Sequence, residues 1–356
     1  MRRLLMIALV LVSSCAPRGQ IAYAPDPTVE ARPIFVGSTR AEFTTNPPTR
    51  TETLRLARYD VTIPPDRQPG DIVYASADRP VDPQTQFLVA RSESYTNDRD
   101  FRADLRQALA RNNNEAIVFV HGFNTTFAEG LYRLAQLGAD FDLPGVLVHY
   151  AWPSRGHVMG YAYDRDSALF ARDGFQDLLV ELRKAGAHRI LIVGHSMGAA
   201  LSMETMRQIV IAGDTETLSR VSGVVLISPD LDVDVFRAQA HKIGDLPQPF
   251  IIFTSQRDKA LLLAARLSGE PSRLGNLEDV SRVADLRVTL VDVGAFNTRE
   301  GHFNVGNSPA LIALLGKTGQ IAAVLEGEQR GRTGLISGVV ITVQNATQVI
   351  LAPIEG

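Results

Sequence analysis

The chain carries one cysteine, Cys15, and one tryptophan, Trp152, in 356 residues. A single thiol excludes an internal disulfide and any metal site built on several thiolates. Positive charge is not in excess either. Lysine and arginine number 36 against 39 aspartates and glutamates, and the net charge of −3 gives no footprint for a nucleic-acid partner. Past the first fifteen residues, no apolar run approaches the ~18–20 residues that span a bilayer. Hydrophobic residues at 45% and charged residues at 21% are ordinary globular values, which excludes wholesale disorder, collagen and coiled coil. At roughly 150 residues per domain, the length fits two domains or one large domain with additions.

The first residues have a pattern of their own. Met1-Arg2-Arg3 precedes nine uninterrupted apolar residues, Leu4 to Val12, and then Ser13-Ser14-Cys15. A basic start, a short apolar stretch and small residues describe an export signal rather than a membrane span. Val12-Ser13-Ser14-Cys15 resembles the lipobox of bacterial lipoproteins, which implies that Cys15 is lipidated and becomes the first residue of the mature chain. Residues 16–33, with four prolines and almost no hydrophobic pattern, are expected to be a tether.

From about Ile34 the pattern turns globular. Short strands are expected at Ile34-Phe35-Val36, Tyr59 to Ile63 and Gln86 to Arg91, then a strand–helix alternation begins. Strands are expected at Ala116 to Val120, Gly145 to Tyr150, Arg189 to Val193, Gly223 to Ile227, Phe250 to Thr254 and Leu286 to Val293. A long helix is expected over Asp164 to Lys184, and Ser308-Pro309 opens a last one that Gly316 ends. Such alternation predicts an α/β fold: a mostly parallel sheet with helices on both faces. Val339 to Val343 and Gln348 to Leu351 suggest a small terminal hairpin.

Gly194-His195-Ser196-Met197-Gly198 matches G-x-S-x-G, a weak signal alone. Here it follows the apolar strand Ile190 to Val193 and opens an amphipathic helix, the context in which the motif presents a nucleophilic serine on a strained turn. In α/β-hydrolases the order is serine, acid, histidine. Only His241 and His302 follow Ser196 at a distance, and His302 lies beyond the last expected strand, so it is the expected base. Asp258, after the Phe250 strand, is the expected acid, with Asp230 and Asp232 after the preceding strand as alternatives. The oxyanion hole is expected from the backbone N–H groups of Met197 and Phe123, the latter in His121-Gly122-Phe123-Asn124. His121 and His195 are expected to be structural. Phe123, Phe127, Trp152, Tyr161 and Tyr163 are candidates for an apolar acyl pocket, and Lys259 to Asp285 for a partial cover.

The segments HGFNTTF, HYAWPSRG, YDRDSA, GHSMGA, LISPDLDVDVF, IFTSQRDKAL and GHF together resemble bacterial α/β hydrolases of the esterase/lipase superfamily, a branch of unknown function. The resemblance covers residues 34–316. It implies the α/β-hydrolase fold, the triad Ser196–Asp258–His302 and hydrolysis of an ester-like bond. The expected organisation is a signal peptide over 1–14, a tether over 15–33, the hydrolase domain over 34–316, and a linker with a hairpin over 317–356. The expected activity is cleavage of small-molecule or lipid carboxylic esters through an acyl-enzyme, without metal or organic cofactor. Acyl transfer or peptide cleavage on the same triad, or a non-catalytic envelope protein of this fold, are the alternatives. The expected location is the bacterial envelope, facing the periplasm, with the membrane as a partner through the N-terminal lipid. The oligomeric state does not follow from the sequence.

Overall fold

The computed structural model describes residues 18–24, 28–76, 78–258, 260–261, 273–296, 302, 304–316 and 338–351. Cys15 and the linker over 317–337 lie outside the described residues. The chain opens with an antiparallel meander of β1 (Ala31–Arg40), β2 (Arg50–Thr62) and β3 (Val89–Tyr95). Alternation follows. Helix α1 (Asp98–Ala110) leads to β4 (Glu115–Val120), and α2 (Phe127–Asp140) leads to β5 (Val146–Ala151). Helices α3 (Tyr161–Phe170) and α4 (Arg172–Ala185) precede β6 (Arg189–His195). After it come α5 (Met197–Ile211), the short α6 (Thr215–Ser219) and β7 (Val221–Ile227). Helix α7 (Val233–Ile243) leads to β8 (Phe250–Thr254), then β9 (Thr289–Asp292). Helices α8 (Asn304–Asn307) and α9 (Pro309–Gly316) precede the hairpin of β10 (Gly338–Val343) and β11 (Ala346–Leu351).

All eleven strands join one sheet in the order β10-β11-β9-β8-β7-β6-β4-β5-β1-β2-β3. Seven of its ten pairings are parallel, with antiparallel pairs only at the two ends, so the sheet is of the α/β type. Alternate residues of β4 serve opposite faces. Val118 and Val120 join the core under α1, α4, α5 and α7, while Ile117 and Phe119 join the core under α2 and α9. Strand β6 is central, so its C-terminal end lies where loops from both halves of the sheet converge.

Three sequence expectations change in the structure. The helix expected over Asp164 to Lys184 starts earlier, at Tyr161, and breaks at Ala171, whose carbonyl accepts the Tyr150 hydroxyl (2.5 Å). Residues 18–24, expected as tether, lie docked: Val89 N–H donates to the Ala22 carbonyl (2.8 Å) and Ala24 N–H to the Val89 carbonyl (3.2 Å). A proline-rich composition hid this contact, because backbone pairing needs no side-chain pattern. The hairpin, expected outside the hydrolase domain of 34–316, joins its sheet. Strand β11 pairs parallel with β9 and extends the central sheet.

Candidate active site

Ser196 links β6 to α5 with φ 53° and ψ −120°, a conformation costing a non-glycine residue about 1–3 kcal/mol. Backbone bonds hold it there. Its N–H donates to the Ile227 carbonyl (3.0 Å), and its carbonyl accepts from Ala199 (3.1 Å) and Asp230 (3.2 Å). The flanking glycines explain the motif sterically. A Cβ at Gly194 would stand 2.8 Å from the Ala199 Cα, and one at Gly198 would overlap the carbonyl oxygens of Val120 and His121. The first turn of α5 is therefore pressed onto the end of β4. Ser196 is brought beside the following loop, where a Cβ at Gly122 would come within 2.8 Å of its own Cβ.

Asp258 follows β8 and is fully buried. Its Oδ1 accepts the N–H groups of Ala260 and Leu261 (both 3.0 Å), and its Oδ2 meets His302 Nδ1 at 2.7 Å. These contacts fix the carboxylate and leave Nε2 as the remaining nitrogen of the His302 ring. The competing candidates are engaged elsewhere. His241 is an exposed residue whose Nε2 lies 2.7 Å from Asp285. Asp230 accepts the Tyr161 hydroxyl (2.9 Å) and faces Arg273 at 3.4 Å. Asp232 caps α7 by accepting from Asp234 and Val235.

His302 is brought against the elbow by a residue that the sequence reading treated as structural. Its ring centroid is 4.9 Å from that of His195, and the His195 side chain hydrogen-bonds the His302 backbone. His195 and His302 both line a cavity of about 220 Å³ with Gly122, Glu129 and Arg133. Adjacency to Ser196 is the one signal the sequence carries for His195, and adjacency alone does not specify a contact with His302. Among the described residues, no hydrogen bond joins Ser196 to His302.

The loop after β4 is fixed from several sides. His121 Nε2 lies 3.0 Å from the Trp152 carbonyl, its ring stacks on that indole at 4.8 Å, and Trp152 Nε1 donates to the His121 carbonyl (2.7 Å). Asp164 Oδ2 accepts the Asn124 N–H (3.1 Å) and the Ser154 hydroxyl (2.6 Å), while its Oδ1 accepts the Arg155 N–H (2.7 Å). Among the described residues, no acceptor meets the N–H of Phe123 or of Met197. Sequence reasoning passed over Asp164, which gave only a helical register.

The aromatic candidates separate. Phe123 and Tyr161 pack edge-to-face at 5.4 Å beside the elbow. Phe127 packs in the core against Tyr59 (5.2 Å), and Tyr163 lies under Arg50, 4.3 Å from its ring. Of the expected cover, residues 262–272 lie outside the described residues, and Leu274, Leu277, Val280 and Val283 belong to the core.

Over residues 97–317, more than half of its length, the chain matches the family described as "Alpha/beta hydrolase of unknown function" (DUF900). The chain belongs to that family. Its fold is the α/β-hydrolase fold. Among curated proteins no sequence matches this hydrolase. Similar solved structures include lipase B of Aspergillus fumigatus, 14% identical over 60% of this chain and 55% of that one, with a TM-score of 0.39. Carboxyl esterase 2 of Tuber melanosporum is also 14% identical, over 90% and 98% of the two chains, with a TM-score of 0.39. The hydrolase thus spans about half the length of the Aspergillus lipase it matches.

Three buried imidazoles around this site make the fold acid-sensitive. Burial pushes His121 down to about 4, and His149 and His195 also lie well below the ordinary 6.5, chiefly through burial. Unfolded, these rings bind protons near pH 6.5; folded, they stay neutral. The unfolded state therefore binds more protons as pH falls from 6.5, and stability drops, with His121 alone contributing ~3 kcal/mol by pH 4. Urea unfolding should show stability flat above pH 7 and falling already between 6.5 and 5, before carboxylates titrate. An unchanged unfolding free energy at pH 5 would contradict neutral burial of these rings.

Proposed function

We propose that this α/β hydrolase is a serine carboxylic-ester hydrolase whose catalytic groups are Ser196, His302 and Asp258. The observation that carries the reading is the 2.7 Å bond from His302 Nδ1 to buried Asp258, with the ring resting on the residue that precedes a strained serine. Nε2 takes the Ser196 proton as Oγ attacks the ester carbonyl carbon. The N–H groups of Phe123 and Met197 stabilise the resulting oxyanion. His302 then protonates the leaving alkoxide as the ester C–O bond breaks, and water releases the acid by the same steps in reverse order. Asp258 holds the tautomer and stabilises the imidazolium. Catalytic hydrogen bonds are often long in unliganded enzymes and tighten with substrate, so the open Ser196–His302 contact is compatible with these roles.

We also propose that Cys15 carries the lipid that anchors the protein to a bacterial membrane on its periplasmic side. The support is the arrangement Arg2-Arg3, Leu4 to Val12 and Ser13-Ser14-Cys15. A fluorophosphonate probe tests the hydrolase reading: it should label the folded protein at Ser196, and Ser196→Ala should abolish the label. A folded protein that takes no label would favour the non-catalytic alternative.

A further inference from the structure

Arg18 and Gly19 lie at the rim of the proposed active site. Arg18 donates to the Asn124 carbonyl (2.8 Å) and to Asn124 Oδ1 (2.9 Å), and it pairs with Glu129 at 2.7 Å. Asn124 directly follows Phe123, and Glu129 lines the cavity that His195 and His302 share. Residue 19 lies on the same wall. A Cβ at Gly19 would meet Glu129 at 2.7 Å and Tyr74, another lining residue, at 2.9 Å.

The same rim carries an apolar tip. Gly156, between the elements that hold the oxyanion loop, places a Cβ position 3.7 Å from Arg18 Nη2 and 3.0 Å from Thr126. Two residues on, Val158 and Met159 are 65% and 84% exposed, the two most exposed large hydrophobic side chains among the described residues. Exposed Arg155 and His157 precede them, and the chain then enters Tyr161, which packs on Phe123. An apolar tip beside basic groups is the pattern that enters a lipid–water interface.

Covalent geometry connects the tip to the anchor. Arg18 is three residue steps from Cys15, and at no more than ~3.6 Å each they span ~11 Å at most. One headgroup layer is ~5–8 Å deep, so the link reaches only a few ångströms beyond it. An acylated Cys15 would therefore hold the rim close against the bilayer surface.

We propose that the active-site rim lies on the membrane that holds the chain's own anchor, with Val158 and Met159 in the interface, and that the substrate is an acyl ester resident in that membrane. This rests on the ester-hydrolase and Cys15-anchor readings. The substrate reaches Ser196 from the lipid surface, and only the leaving alcohol or the released acid returns to it or to water.

The test uses the full acylated chain in 3:1 phosphatidylethanolamine–phosphatidylglycerol vesicles. Two probes are compared, 4-methylumbelliferyl oleate dissolved in the bilayer and 4-nitrophenyl acetate in solution. A flexible insert of about 30 Gly/Ser residues between Ala16 and Pro17 frees the rim while keeping the anchor. It should lower oleate turnover about tenfold or more and leave acetate turnover intact. The pair Val158→Asp and Met159→Asp should lower oleate turnover in the same direction, measured against acetate turnover. Wild-type oleate turnover in both variants would overturn the proposal. A chain without acyl label at Cys15 would overturn it through the anchor reading. A chain that labels at Cys15 yet hydrolyses neither ester would overturn it through the hydrolase reading.

Discussion

Ser196→Ala and His302→Ala should each lower kcat on an activated ester by about 10⁴–10⁶, and the double variant should be hardly worse. Nucleophile and base act as one unit, so losing either removes nearly everything the pair contributes. Asp258→Asn should cost about 10³–10⁴, because an amide facing Nδ1 favours the wrong tautomer. The contrast lies in the groups that share the region without facing the reacting atoms. His241→Ala touches only the surface pair with Asp285 and should leave kcat near wild type. Asp230→Asn should keep turnover but lower stability, since it removes a carboxylate charge 3.4 Å from the buried Arg273 guanidinium. Steady-state kinetics on variants shown to be folded decide the matter. A dead His241→Ala beside an active His302→Ala would move the base. A crippled Asp230→Asn with an active Asp258→Asn would move the acid to the strand before.

Gly198→Ala should damage both stability and turnover, although it adds one methyl group. That methyl would overlap the carbonyls of Val120 and His121, which are backbone atoms at the end of a central strand and cannot rotate aside. Either α5 lifts away from β4 or the oxyanion loop retreats. Overpacking of this kind costs about 1–3 kcal/mol, which lowers Tm by roughly 2–5 °C in a domain of this size. Both escapes separate Met197 N–H from Phe123 N–H, and a misplaced oxyanion donor costs about 10² in kcat. Gly213→Ala is the control. It sits at φ +74° with nothing within 4 Å, so it should cost ~1 kcal/mol in strain and leave kcat unchanged. A Gly198→Ala protein with wild-type Tm and kcat would show that the close approach has no consequence.

The elbow was legible because its determinants are local. The apolar run before Ser196, the two glycines and the helix after it sit within 23 residues of sequence, and the strained φ of Ser196 belongs to the turn they form. Asp258 and His302 were legible through chain order, and they do meet. What escaped depends on contacts between distant segments. The clamp of Asp164 on Asn124 spans forty residues, and nothing in the YDRDSA stretch distinguishes a buried carboxylate from a solvated one. The seat of Arg18 on Glu129 spans more than a hundred, and its proline-rich surroundings suggested a free tether. His195 escaped for a different reason: its direction is set by the strain of the neighbouring turn, which periodicity does not encode.

The terminal hairpin has a consequence for the order in which the enzyme matures. Strand β7 completes the bed for Ser196, whose amide is bonded to Ile227, so the serine turn and the loop after β4 are built from residues up to that point. Strand β9, from whose end the chain leads to His302, is flanked on its outer side by β11, which follows every other described strand in chain order. Until residues 346–351 arrive, β9 is a four-residue edge strand with one row of unpaired amides, the least secure position in a sheet. A chain that stops short of residue 346 therefore holds a shaped Ser196 turn while the segment leading to His302 hangs from an unsupported edge. Under the proposed assignment, the meeting of Ser196 and His302 waits on the docking of β11.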